Sequence, residues 1–131
     1  MSVTQMRQQP ETNRETGAVM TVWRYEIPVR ERDKGFFVDM PAGAEILYAS
    51  RGLVTDEFRA WVNSGMPKER RYFCAIQDNW PVPTRSEAER SLGMEVKALV
   101  YVKSWVSAGT HWHLFEFKTG APMREPGEEG L

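Results

Sequence analysis

The chain has 131 residues, of which 41% are apolar and 27% charged, and its 17 Lys and Arg against 18 Asp and Glu leave a formal charge of −1. Such a length predicts one domain able to bury roughly two thirds of its unfolded surface, and the charge balance excludes a general field for nucleic acid or an anionic membrane. The single cysteine, Cys74, excludes an intrachain disulfide, no apolar run is long enough to cross a bilayer, and Met1–Thr16 is too polar for a secretory signal.

Residues 1–18 are read as a polar arm outside the fold, because a stretch rich in Gln, Thr, Arg and Glu cannot bury itself. Its Val3, Met6, Arg7 and Arg14 are the candidate contacts with a partner. Extended, the arm reaches about 50–60 Å at roughly 3.3 Å per residue, far enough to lie across a neighbour.

Val19–Val29 alternates Val19, Thr21, Trp23, Tyr25, Ile27 and Val29 with Met20, Val22, Arg24 and Glu26, the pattern of a first strand. Pro28 places its end at an edge or bulge. Arg30–Lys34 is a charged turn closed by Gly35. Phe36–Met40 is a second strand, and Pro41-Ala42-Gly43 a turn. Ala44–Ser50 is a third strand, with Ile46 and Tyr48 on one face and Leu47 and Ala49 on the other. After the turn Arg51–Asp56, the strand Glu57–Asn63 points Phe58, Ala60 and Val62 to the core and Arg59 and Trp61 away. Glu69–Gln77 puts Tyr72, Cys74 and Ile76 on one face and Arg71, Phe73 and Ala75 on the other. Asp78–Arg85 is irregular around Pro81 and Pro83. Ser86–Leu92 is predicted to be a short helix, capped by Ser86 with Glu89 three residues on and stopped by Gly93. Glu95–Trp105 is a long strand, turned back by Ser107–Gly109 into Thr110–Lys118.

Thr110–Lys118 is the most aromatic run in the chain. His111, His113, Phe115 and Phe117 share one face; Trp112, Leu114 and Glu116 share the other. Neither face is purely polar, so this is expected to be a central strand covered on both sides. The fold class follows: mostly β, a compact antiparallel sandwich or partly open barrel of about seven strands with one short helix. Residues 19–118 form the β domain, and 119–131, rich in Gly, Pro and Glu, a flexible tail.

Several phrases carry a resemblance. They are Val22-Trp23-Arg24-Tyr25-Glu26-Ile27-Pro28, Met40-Pro41-Ala42-Gly43-Ala44-Glu45-Ile46-Leu47, Arg59-Ala60-Trp61-Val62, Glu69-Arg70-Arg71-Tyr72-Phe73 and Trp112-His113-Leu114-Phe115-Glu116. In order and spacing the chain resembles a family of small uncharacterised proteins encoded by tailed bacteriophages, of the actinobacteriophage type, over about Val22 to Lys118. The resemblance implies phage origin and a small β fold, and no reaction. Where that family tends to carry a Gly-Thr-Gly-His-Pro-like loop, this chain has Gln77-Asp78-Asn79-Trp80-Pro81.

The candidate chemistry is sparse. His111 and His113 could share a metal ion only with a third ligand, for which Cys74, Asp39 and Glu57 are the candidates. The alternative is ordinary strand histidines beside Phe115 and Phe117. Cys74 with a histidine has the makings of a nucleophile and base, yet a cysteine between Phe73 and Ala75 in a strand is the usual setting of an inert one. Lys68, Arg70 and Arg71 beside Tyr72 and Phe73 mix base and aromatic as a nucleic-acid face does, but Glu69 interrupts them and alternation splits Arg70 from Arg71. Trp80, outside the periodic pattern, is either a contact anchor or a lid folded over the sheet.

These readings lead to a non-enzymatic phage structural protein without cofactor or metal. It would be a minor capsid or decoration protein of the virion, bound through its β domain and arms to other phage structural proteins, with self-association left open and neither membrane nor nucleic acid as partner. The alternative is an accessory protein in the host cytoplasm that binds and modulates a host protein.

Overall fold

A computed structural model describes residues 19–123. Its elements are β1 (Met20–Glu26), β2 (Phe36–Pro41), β3 (Glu45–Arg51), β4 (Asp56–Asn63), β5 (Lys68–Gln77), α1 (Arg85–Leu92), β6 (Met94–Ser107) and β7 (Thr110–Pro122). They form two antiparallel sheets, ordered β1-β4-β3 and β2-β5-β7-β6, and no closed barrel. The fold is thus the expected mostly-β sandwich of seven strands and one short helix.

Alternation explains how the layers meet. In the smaller sheet, β4 sends Phe58, Ala60 and Val62 inward, while β1 adds Trp23 and Tyr25 and the residue after it, Ile27. In the larger sheet, Phe36 and Met40 of β2, Phe73 and Ala75 of β5 and Leu114 of β7 face them. Phe58 and Phe73 pack across the interface with ring centroids 5.5 Å apart. Each such fully buried large side chain contributes about 1.5–3 kcal/mol through loss of contact with water.

β7 lies between β5 and β6 and is apolar on both faces, as its sequence predicts. Leu114 and Trp112 belong to the inter-sheet core. Phe117 and Phe115 face the opposite way and join Cys74, Ile76, Val96, Ala88 and Leu92 under α1. The helix therefore covers part of the outer face that a plain two-sheet sandwich would leave to water.

The structure departs from the sequence expectations at three places. In β3 the register slips between Ile46 and Tyr48, so Ile46 and Ala49 are buried while Leu47 and Tyr48 are exposed. Strict alternation fails there because a bulge adds one residue to β3 opposite β4. The helix cap lies two residues earlier than expected: Thr84, not Ser86, is the cap, and Glu87, not Glu89, closes the capping box. Glu89 is diverted to β6, where its carboxylate accepts from the Val96 N–H at 2.9 Å. Gly93 ends the helix in a left-handed conformation, as predicted (φ 70°). Finally, β7 continues to Pro122, so Thr119–Pro122, read as tail, pair with Val96 and Met94 of β6. The remainder of that tail and the arm 1–18 lie outside the described residues.

Strand direction separates two ends of the sandwich. The connections β1–β2, β3–β4, β5–α1 and β6–β7 gather at one end. The described chain enters and leaves at the other, where the Val19 carbonyl accepts from Ser64 N–H and Met123 N–H donates to the Gly93 carbonyl, both at 2.9 Å.

Candidate functional site

Connections at the first end are tied to one another and to the strands beside them. Ile27 N–H donates to the Asp56 carbonyl at 2.8 Å, and Thr55 Oγ1 donates to the Ile27 carbonyl at 2.8 Å. The Ala75 N–H reaches the Arg32 carbonyl at 2.7 Å, and the Asp78 N–H reaches that of His111 at 3.0 Å. Three non-glycine residues with positive φ are found among the described residues, Glu31 (61°), Asn79 (69°) and Ala108 (51°), and all three lie in these loops. Such conformations cost free energy and persist only where the surroundings impose them, which is why they gather at functional sites.

The loops line a groove of three recesses that share lining residues. One part, about 190 Å³, is lined by Val29, Arg32, Ile76, Gln77, Trp80 and Trp112, together with Asp33. A second part, about 300 Å³, shares Val29, Arg32 and Trp112 and adds Arg51 and the β3–β4 tip. A third, about 560 Å³, continues past Asp33 between Pro81–Pro83 and α1. The rim is apolar. Leu53 and Val54 stand almost wholly in solvent at the hairpin tip, Val29 is exposed, and Trp80 is 58% exposed. Apolar side chains displayed at a tip, where turn chemistry favours polar ones, are a feature of contact surfaces.

Arg32 sits at the junction. Its guanidinium stacks on the Trp112 ring, 3.9 Å from the centroid, and lies 3.8 Å from Asp56 Oδ2. Asp56 is buried and already engaged. Its Oδ2 accepts from Trp105 Nε1 at 3.0 Å and its Oδ1 from Ser107 Oγ at 2.7 Å. Asp56 thus anchors three elements, and Arg32 is held mainly by stacking.

The other candidate residues are dispersed. Trp80 lines the recess with Ile76 and Trp112 and is more than half exposed. Val3, Met6, Arg7 and Arg14 fall outside the described residues. Cys74 is buried under α1, and burial, with a smaller effect of Asp33, pushes its thiol up to about 12, so it holds its proton and is no nucleophile. His113 shares the outer face with Cys74 but is held by Asp78 (Nε2 to Oδ1, 2.5 Å) and by Tyr101 (Nδ1 to Oη, 2.9 Å). His111 is exposed. Asp39 is committed to Arg70, whose hydrogen bonds hold its carboxyl below the usual range, and Glu57 sits on the other sheet beside Arg24 and Arg59. Among the described residues no three potential ligands converge on a metal position. The Lys68–Arg71 cluster is split as alternation requires. Arg70 faces out over Phe37, Arg71 turns inward to Glu116, and Lys68 lies 6.0 Å from the Trp23 ring.

The sequence reading missed Arg32, Arg51, Leu53 and Val54, having placed them in turns. The available signal was an apolar Leu53-Val54 pair inside a turn. Arg32 had none, since its stacking partner is far along the chain.

Fold and site together define a small antiparallel β-sandwich that presents a groove from the loops at one end. The chain belongs to the family described as Domain of unknown function (DUF7352), which matches residues 19–125. No curated protein and no solved structure matches it. No helix among the described residues is long and apolar enough to cross a membrane.

Proposed function

We propose that the protein is a non-enzymatic binding module of a bacteriophage, a minor capsid or decoration protein that attaches to the virion shell. The observation that carries the binding role is the loop end: an apolar rim of Leu53, Val54 and Trp80 around a groove built on mutually hydrogen-bonded, backbone-strained loops. Loops held this firmly lose little conformational entropy on docking, so a modest surface can bind usefully. The phage setting is supported by the sequence resemblance spanning Val22 to Lys118. In this reading the groove contacts one neighbour, and the arm, through Val3, Met6, Arg7 and Arg14, contacts another.

Mass spectrometry of purified particles tests the setting. A virion component is recovered at a fixed ratio to the major shell protein. Absence from particles, with a stable complex to a host protein in infected cells, would instead favour the accessory role. The groove is tested by Leu53→Asp with Val54→Asp, a pair of exposed substitutions that should leave the melting temperature unchanged and abolish attachment. Unchanged attachment would remove the loop end from the account.

A further inference from the structure

The loop-end groove displays apolar side chains, yet it also holds two guanidinium groups. Arg32 and Arg51 both line the 300 Å³ part. Asp56, the nearest acid to Arg32, has an oxygen in a hydrogen bond to Trp105 and the other in one to Ser107, and its separation from the guanidinium is 3.8 Å. That distance is too long for a hydrogen bond. Arg51 has no carboxylate within 4.0 Å among the described residues and is exposed. A guanidinium carries five N–H donors in a planar fork. Arg32 is 22% exposed at its side chain and held over the Trp112 ring, 3.9 Å from its centroid. It is therefore oriented before any ligand arrives, with donors left to offer.

We infer that this groove recognises a carboxylate side chain flanked by a bulky aliphatic or aromatic residue, in a segment of a partner protein. The inference rests on the reading of the loop end as a binding surface. The carboxylate would sit between Arg32 and Arg51, where a bidentate fork is geometrically matched to two oxygens. The flanking apolar residue would lie against Val29, Leu53 and Val54, or enter the 190 Å³ recess between Trp80 and Trp112. A singly charged group fits better than a phosphate dianion, because Asp33 and the buried Asp56 line the same groove and repel a second negative charge.

A random dodecapeptide library panned against the intact protein provides the test, followed by titration of the enriched peptides by fluorescence anisotropy. Enriched peptides are expected to carry Asp or Glu beside a bulky apolar residue, and their affinity should fall steeply with added salt. Replacing that Asp or Glu by its amide, or making Arg51→Glu, should each weaken binding at least tenfold. Arg51 is exposed, so its replacement leaves folding intact. Arg32→Lys, which keeps the charge and loses the fork, should also weaken binding. Enriched peptides that lack a carboxylate, or that bind Arg51→Glu equally well, overturn the inference. If those peptides still lose binding to the Leu53→Asp, Val54→Asp protein, the loop-end surface stands and only its carboxylate preference falls. If no enriched peptide responds to any of these changes, both fall.

Discussion

Two arginine–carboxylate pairs divide the molecule. Toward the end where the described chain begins and finishes, Arg71 grips Glu116 bidentately at 2.7 and 2.8 Å and donates a third hydrogen bond to the Ala44 carbonyl. Its side chain is 15% exposed. At the loop end, Arg32 is only slightly more exposed but is 3.8 Å from an Asp56 whose oxygens serve Trp105 and Ser107. The residue types are alike and the burial is similar. One guanidinium is consumed by the fold and the other is left facing a groove. The backbone shows the same contrast. Where φ turns positive near the chain-terminus end, at Gly43 and Gly93, glycine supplies it; at the loop end Glu31, Asn79 and Ala108 do so as well, where only Asn tolerates it readily. A closed, relaxed end and an open, strained one support the proposal that the first holds the fold and the second makes the contacts.

The sharpest way to break this comparison is to remove each arginine in turn. Arg71→Ala should cost about 3–5 kcal/mol, because it leaves the buried Glu116 with only the half-exposed Lys118 ammonium, 3.4 Å away. Arg32→Ala should cost only about 1 kcal/mol, the size of a lost cation–π stack, since Asp56 keeps its Trp105 and Ser107 donors. Denaturant titration measures both, and equal losses would erase the distinction between the two ends.

Truncations of apolar side chains should show the same ordering. Leu114→Ala, in the central strand, is expected to cost about 2–5 kcal/mol, and Trp112→Ala a comparable amount. Trp80→Ala, on the rim, should cost about 0.5 kcal/mol or less. If Trp80→Ala unfolded the protein, the rim would be part of the core.

Acid should loosen the closed end. Burial alone would raise the Glu116 carboxyl, but the Arg71 hydrogen bonds and charge, aided by Lys118, outweigh burial and hold it below the usual carboxylate range. A depressed folded-state value means stability that is complete above the ordinary carboxylate pKa of about 4.3 and is lost as pH falls through the lowered one. Melting temperature should therefore decline below about pH 4, and Glu116→Gln should flatten that decline. An unchanged profile in Glu116→Gln would assign the acid sensitivity elsewhere.

The smallest expected effect is none. A chelator should leave the melting temperature where it is, because no folding free energy is stored in a metal site. A drop reversed by zinc would return His111 and His113 to the site.

Much of the fold was legible because it depends on near neighbours in the chain. The period-two alternation of β1, β4, β5 and β7 identified which side chains face the core, and Gly93 marked the helix end. Trp80 was legible as an outlier from that pattern. The bulge in β3 was not, since one extra residue at Leu47 is a response to pairing with β4. Nor was the cap, because Thr84 and Ser86 each stand three residues before a glutamate, and β6 claims Glu89.

By itself, then, the sequence determined the number of strands, the inward faces of all but β3, the β class and the single helix, all of which follow from steric and hydrophobic periodicities within a few residues. The tertiary structure alone decided that the two layers would close Arg71 onto Glu116, 45 residues away, and occupy Asp56 with Ser107, 51 residues away, leaving Arg32 open. Those choices belong to the packing of strands distant in the chain, where hydrogen-bond geometry at a few tenths of a nanometre, and not residue type, decides which charge is spent inside.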